Sequence, residues 1–151
     1  MGGPSTLENL LKEETSKVSL PYSLYLGDNI YKLFSRQKNI LIEFAKTYLS
    51  SPTKKKLYAT GYTDGCVTIS NEYFMSKNRA FSVSNFLKSC GVPSYSIEIA
   101  YFGSSIQARS NATNSGRAKN RRVVIAYKKP FSPIKTTNMQ PSNSYNFINM
   151  K

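Results

Sequence analysis

Apolar and polar positions along this chain follow two rhythms. Val18, Leu20, Tyr22, Leu24 and Leu26 recur at every second residue, the period that turns one face of a strand to a core. Gly27-Asp28-Asn29 breaks that run, and Ile30–Phe34 is a short apolar connection. The spacing then changes. Ile40, Leu41, Phe44, Tyr48 and Leu49 fall three and four apart, which predicts an amphipathic helix over 36–50. Ser35 stands where a cap is needed, and Ser51-Pro52-Thr53 ends the helix. Lys54-Lys55-Lys56 reads as a solvated turn and Leu57–Gly61 as a second strand. A second helix is predicted from about Asn71 to Ser89, with Met75, Ala80, Val83, Phe86 and Leu87 on its inner arc. Cys90-Gly91-Val92-Pro93 stops it, since glycine suits the left-handed terminus and proline cannot continue. Ile97, Ile99 and Tyr101 give a third strand, Ser104–Asn120 a polar loop, and Arg122–Tyr127 a fourth strand.

Two amphipathic helices among four short strands need a sheet face to cover. The predicted fold class is α/β: a two-layer sandwich, a mixed sheet of about four strands with two main helices on one face. At 151 residues the chain holds one domain with tails. The domain is placed at 18–129. Residues 1–17, where Leu7, Leu10 and Leu11 sit among Glu8, Glu13 and Glu14, read as a mobile leader with the spacing for a helical turn or two. Residues 130–151 are rich in Pro, Ser, Thr and Asn and read as a flexible tail.

Charge adds an expectation of an anionic partner or surface. Lys+Arg is 21 against 8 acids, a formal charge of +13, and no acid follows Glu98. There is no His, which removes imidazole acid–base chemistry and the commonest metal ligand. Cys66 and Cys90 are too few for a disulfide framework or a zinc site. They are also expected too far apart to bond, because a helix of about 18 residues spans about 27 Å, so two free thiols are predicted. No apolar run approaches the roughly 20 residues that span a bilayer. Met1-Gly2-Gly3-Pro4 lacks the basic start and apolar stretch of a secretory leader.

The candidate chemistry lies between Ala59 and Arg79. Asp64 is an acid at a strand end in the turn Thr63-Asp64-Gly65, and Arg79, fifteen positions on, is a base on the inner side of a helix. One charge of each sign at one end of a sheet suits a small zwitterion: a carboxylate pairs with an ammonium group, and a guanidinium fork matches a carboxylate. Three segments resemble the OmpA-like peptidoglycan-binding domain. They are Gly61-Tyr62-Thr63-Asp64, then Met75-Ser76-Lys77-Asn78-Arg79-Ala80 with Val83, Leu87 and Gly91, then Asn111-Ala112-Thr113 followed by Gly116-Arg117-Ala118-Lys119-Asn120-Arg121-Arg122-Val123. The resemblance spans residues 26–128.

That resemblance implies a non-catalytic module of the bacterial cell envelope, without cofactor or metal. It implies that Asp64 and Arg79 grip the free amino-acid end of diaminopimelate in the peptidoglycan stem peptide, with Thr63, Gly65, Glu72, Asn120, Arg121 and Arg122 around them. It also implies a periplasmic, outer-membrane-associated location, possible partners among other envelope-complex proteins, and membrane attachment only through a lipid anchor that this sequence does not contain. The sequence departs from the family pattern at Tyr62 in place of His, at Glu72 in place of Asn, and at Ser104 in place of Glu. A scaffold subunit of a secretion system or motor with a degenerate site is the alternative. Arg79 is expected at the rim of the helix stripe, so that its truncation spares the fold. Only one of Arg121 and Arg122 can point at the site, because adjacent strand residues face opposite ways; Asn120 is expected to orient the loop.

Two rival classes are weaker. Charge +13 with eleven tyrosines is compatible with a nucleic-acid binder, but no nucleic-acid motif accompanies them, and no nucleic-acid partner is expected. A glycan hydrolase needs two carboxylates about 5–10 Å apart across a bond, and Asp64 with Glu72 is the only such pair near the site.

Overall fold

The computed structural model describes residues 19–65, 69–130 and 146–149. The elements follow the predicted order: β1 (Tyr22–Tyr25), α1 (Ser35–Ser50), β2 (Leu57–Gly61), α2 (Ile69–Ser89), a 3-10 turn (Ser94–Ser96), β3 (Ile97–Tyr101), α3 (Asn114–Asn120), β4 (Arg122–Ala126) and β5 (Asn146–Asn149). The two-layer α/β expectation holds, with two long helices and a mixed sheet.

The sheet order is β1-β4-β2-β3-β5. β2 and β3, joined through α2, run parallel, with Leu57 opposite Ile97 and Gly61 opposite Tyr101. β4 is antiparallel to both of its neighbours and inserts between β1 and β2. Odd-numbered positions of β2, β3 and β4 and Leu24 of β1 supply the core: Leu57, Ala59, Ile97, Ile99, Val123 and Ile125 are buried with Leu41, Phe44, Ala45 and Tyr48 of α1 and Ala80, Val83 and Leu87 of α2. The alternation and the helical stripes thus meet in one layer, as their periods require.

Several local expectations need correction. β1 is shorter than the alternating run because Pro21 has no N–H to donate to a ladder. Phe34, not Ser35, occupies the cap position of α1; its N–H donates to Gln37 Oε1 at 2.7 Å, half of a reciprocal capping box. α2 begins at Ile69, two residues before Asn71. The polar stretch 104–120 contains the short α3, capped by Thr113 Oγ1, which accepts from the Gly116 N–H at 2.9 Å. Lys56 is not simply solvated: its ammonium pairs with Glu98 at 2.7 Å. The sheet has five strands rather than about four, because Asn146–Asn149 pairs antiparallel with β3. That strand lies within the stretch read as an unstructured tail. Residues 1–18, 131–145 and 150–151 lie outside the described residues, and so do the expectations for them. Cys90 carries a free thiol; Cys66 lies outside the described residues.

Candidate functional site

Strand β2 ends against α2 more closely than any side chain would permit. A Cβ on Gly61 would come within 1.8 Å of the Ser76 carbonyl oxygen, so only glycine lets the strand end meet the helix. The chain leaving β2 is then fixed by backbone bonds: Tyr62 N–H to Arg122 O at 2.9 Å and Thr63 N–H to Gly103 O at 2.9 Å. Gly65 turns it away with φ +76°. Thr63 and Asp64, both buried, are therefore presented at a defined place, the end of the sheet where β2 and β3 exit.

A cavity of about 420 Å³ opens there. Thr63 and Asp64 form one wall, Asp28 and Asn29 a second, and Asn71, Phe74 and Met75 of α2 a third. Asp64 Oδ2 accepts from Arg121 Nη1 at 2.8 Å, and both side chains are largely buried. The Asp64 backbone carbonyl accepts from Asn111 Nδ2. Asn111 is in turn held by Asn120, whose Nδ2 donates to Asn111 Oδ1 at 2.8 Å. Asn120 also accepts from the N–H groups of Ala108 and Arg109 at 2.7 and 2.9 Å. Its predicted part in orienting the loop is realised as a fully buried hub.

Arg79 differs from its expectation. It is not at the rim of the helix stripe but 0% exposed. Its Nε donates to Ile30 O at 2.8 Å, Nη2 to Gly27 O at 2.9 Å and Nη1 to Tyr62 O at 3.1 Å. Three of the five guanidinium N–H groups are thereby committed to backbone, leaving at most two for any ligand. The physical reason is that a buried cation requires partners, and the carbonyls of the 27–30 turn and the β2 exit converge on it. Burial pulls its pKa down to about 10, against the opposing fields of Asp64 and Asp28. Arg79 thus clips the Gly27–Ile30 turn, and with it one cavity wall, to the strand end that carries Asp64.

The other predicted residues divide. Arg121 reaches Asp64, whereas Arg122 turns the opposite way and stacks on Tyr62, its guanidinium carbon 3.8 Å from the ring centre. Burial lowers the Arg122 pKa and raises that of Tyr62. Glu72 is buried and accepts from Ser104 Oγ; its side chain does not line the cavity. Asp64 and Glu72 therefore do not face each other across this cavity as a hydrolytic pair. Gly65 shapes the turn beside Ser104. Asp28, Asn29, Asn71 and Phe74 were missed as site residues. Asp28 and Asn29 registered only as a strand breaker, although Asn29 has φ 53°, a backbone that asparagine tolerates better than most side chains. Asn111 was visible as part of a motif but not as the clamp on Asp64. Among the described residues, no group of three or more His, Cys, Asp or Glu side chains is arranged to hold a metal.

Fold, turn and motif converge on one class of protein. Residues 26–121 match the model of the OmpA family, and the chain belongs to that family, whose members are non-catalytic binding or anchoring domains. The peptidoglycan-associated lipoprotein of Buchnera aphidicola subsp. Baizongia pistaciae (strain Bp) is 28% identical over 120 residues, covering 80% of this chain and 69% of that protein. Among solved structures, the C-terminal domain of Helicobacter pylori MotB superposes with TM-score 0.66 at 21% identity, over 72% of this chain and 84% of that one. The peptidoglycan-associated lipoprotein from Burkholderia pseudomallei gives 0.65 at 22% identity, over 69% and 87%. The cell wall anchor of the T6SS from Pseudomonas aeruginosa gives 0.59 at 20% identity, over 68% and 76%. These structural likenesses establish the fold.

Proposed function

We propose that this chain is a peptidoglycan-binding domain of a Gram-negative envelope. It takes the free amino-acid end of diaminopimelate on a stem peptide into the Asp64 cavity and anchors an outer-membrane or envelope complex to the wall from the periplasm. The observation that carries this reading is the 420 Å³ cavity with a buried carboxylate on its wall and a buried guanidinium coupled to that carboxylate by its field. A zwitterion presents its ammonium group to Asp64, and Arg79, fully buried behind the wall it holds in place, favours the ligand's carboxylate through its field rather than by contact. Thr63 adds a hydroxyl on the same wall. Glu72, Asn120, Gly65 and Arg122 serve the shape of the site rather than the ligand. The names of relatives that associate with peptidoglycan or anchor to the cell wall support the same ligand and location.

A scaffolding role with a degenerate site is favoured by one specific feature. Asp64 is already paired to Arg121 at 2.8 Å, so an incoming ammonium group has to share or displace that bond. Calorimetric titration of a diaminopimelate-containing stem peptide separates the two. Saturable binding that persists at ~0.15 M salt, where charges beyond about 8 Å are screened, supports the wall-binding reading. Absence of binding at any salt, or retention on purified sacculi that vanishes at modest salt, refutes it in favour of scaffolding or bulk charge.

A further inference from the structure

A second opening adjoins the first. It is a groove of about 800 Å³ between α2 and the connection running from Asn29 to Phe34. Asn29 lines both openings, so they form one continuous surface around that residue. An exposed aromatic pair stands between them. Tyr31 of the groove and Phe74 of the cavity meet edge to face with ring centres 6.3 Å apart, and they are 42% and 56% exposed.

The two openings carry opposite charge. The cavity has Asp28 and Asp64 on its walls. Among the described residues, the groove is lined by Lys32 and Lys38 and by no acidic side chain. Its apolar surface comes from side chains such as Leu33 and Phe86. Each lysine is poised above a ring: Lys32 Nζ lies 5.9 Å from the centre of Phe34, and Lys38 Nζ 5.9 Å from the centre of Phe86. An aromatic face attracts an ammonium group without neutralising it, so both cations stay available over the groove.

We propose that the groove is a second subsite for the same ligand: a peptide anchored at Asp64 by its zwitterionic end crosses the Tyr31–Phe74 lip and lays a further carboxylate between Lys32 and Lys38. This rests on the reading of the Asp64 cavity given above. The charge order selects the ligand class, a peptide with an ammonium group at one end and acidic groups farther along. A uniform polyanion such as nucleic acid meets Asp28 and Asp64 at the next step and is disfavoured there. The aromatic lip takes the apolar part of the chain between the two charged ends.

The test is calorimetric titration of the full chain with two probes at ~0.15 M salt, free diaminopimelate and a diaminopimelate-containing stem peptide with its carboxylates unblocked. The proteins compared are wild type, the double variant Lys32→Ala/Lys38→Ala, and the charge-preserving Lys32→Arg/Lys38→Arg. The peptide is expected to bind wild type more tightly than free diaminopimelate. The alanine variant should lose about tenfold for the peptide, the scale of two exposed charge pairs, and nothing for diaminopimelate. The arginine variant should keep both affinities. Unchanged peptide affinity in the alanine variant, with diaminopimelate still bound, overturns the groove subsite and leaves the cavity reading standing. Equal losses for both probes overturn it too, because the lysines then act only through the overall field. Wild type that binds neither probe overturns both readings. Sedimentation velocity on the same samples gives the remaining outcome: self-association abolished by the alanine variant assigns the groove to a second copy and overturns the subsite.

Discussion

The middle of the sheet and its cavity end are held together by different chemistry. In the middle, Leu57, Ile99 and Ile125 meet Leu41, Val83 and Leu87 in a layer of apolar side chains. At the cavity end the buried residues include Thr63, Asp64, Glu72, Ser76, Arg79, Asn120 and Arg122, all polar or charged. The apolar layer gains from area removed from water and tolerates some exchange of shape. The polar end is stable only while each buried group keeps its partner, because a single orphaned charge costs more than the pair contributes. The lesson is that the cavity end is held by directed hydrogen bonds and an ion pair where the middle of the sheet is held by apolar area.

The largest effect that separates the two regions is expected at Arg79. Arg79→Ala deletes three hydrogen bonds to carbonyls of Gly27, Ile30 and Tyr62 and should cost about 3–5 kcal/mol. Arg79→Lys should recover little, since a point ammonium cannot reproduce the fork. Urea unfolding gives the comparison directly against Leu87→Ala in the apolar layer, expected near 3 kcal/mol. If Arg79→Ala unfolds like wild type, the cavity end is not held by its polar bonds. This is also the reason to test the ligand through Asp64 rather than Arg79.

Asp64→Asn comes next and acts on binding more than on the fold. It removes the negative charge and leaves the side-chain shape. Affinity for a diaminopimelate-bearing peptide should fall by about 2–5 kcal/mol, the usual loss for one partner of a buried charged contact, with a smaller drop in melting temperature as Arg121 loses its ion. Peptide affinity equal to wild type would detach the cavity from the zwitterion.

Alkaline pH probes the cavity end more gently. Burial raises the Tyr62 pKa above its ordinary 10.0, against the lowering field of Arg122. Below about pH 10 the phenol is protonated in both the folded and the unfolded chain and contributes no pH dependence. Above that pH the unfolded chain releases the proton first, so stability falls as pH rises until the folded phenol also ionises. Arg79 works in the opposite direction. Burial lowers its folded pKa from the ordinary arginine range to about 10, so above that pH the unfolded chain holds the extra proton and stability rises with pH. Tyr62→Phe should therefore reduce the loss of melting temperature between pH 9.5 and 11 relative to wild type; an identical profile would show that Tyr62 does not sense its burial.

The smallest effect belongs to neither region. Lys46 and Glu43 pair across one turn of α1 at 3.3 Å, with side chains 69% and 42% exposed. Lys46→Ala should change stability by under about 0.5 kcal/mol. It is the baseline against which the losses at Arg79 and Leu87 are read in the same urea titrations.

The sequence by itself determined the parts that depend on local period and local chemistry. Alternation marked β1, β3 and β4, the three- and four-residue spacing marked both long helices, and the glycine–aspartate turn after β2 placed Asp64 at a strand end. The order of the motifs named the family. What only the tertiary structure decided is where distant segments meet. No periodicity says that β4 enters between β1 and β2, because a strand's rhythm records which face is buried and not which neighbour it pairs with. Position on the buried arc identified Arg79 as special but not its partners, two of which lie about 50 residues earlier in the chain. Glu72 carries the same charge as Asp64, and its neighbour Ser104, contributed by the exit of β3, turns it away from the cavity. A side chain's partners are fixed by the folded geometry around it, and that geometry made one acid of the pair a cavity wall and the other a structural tie.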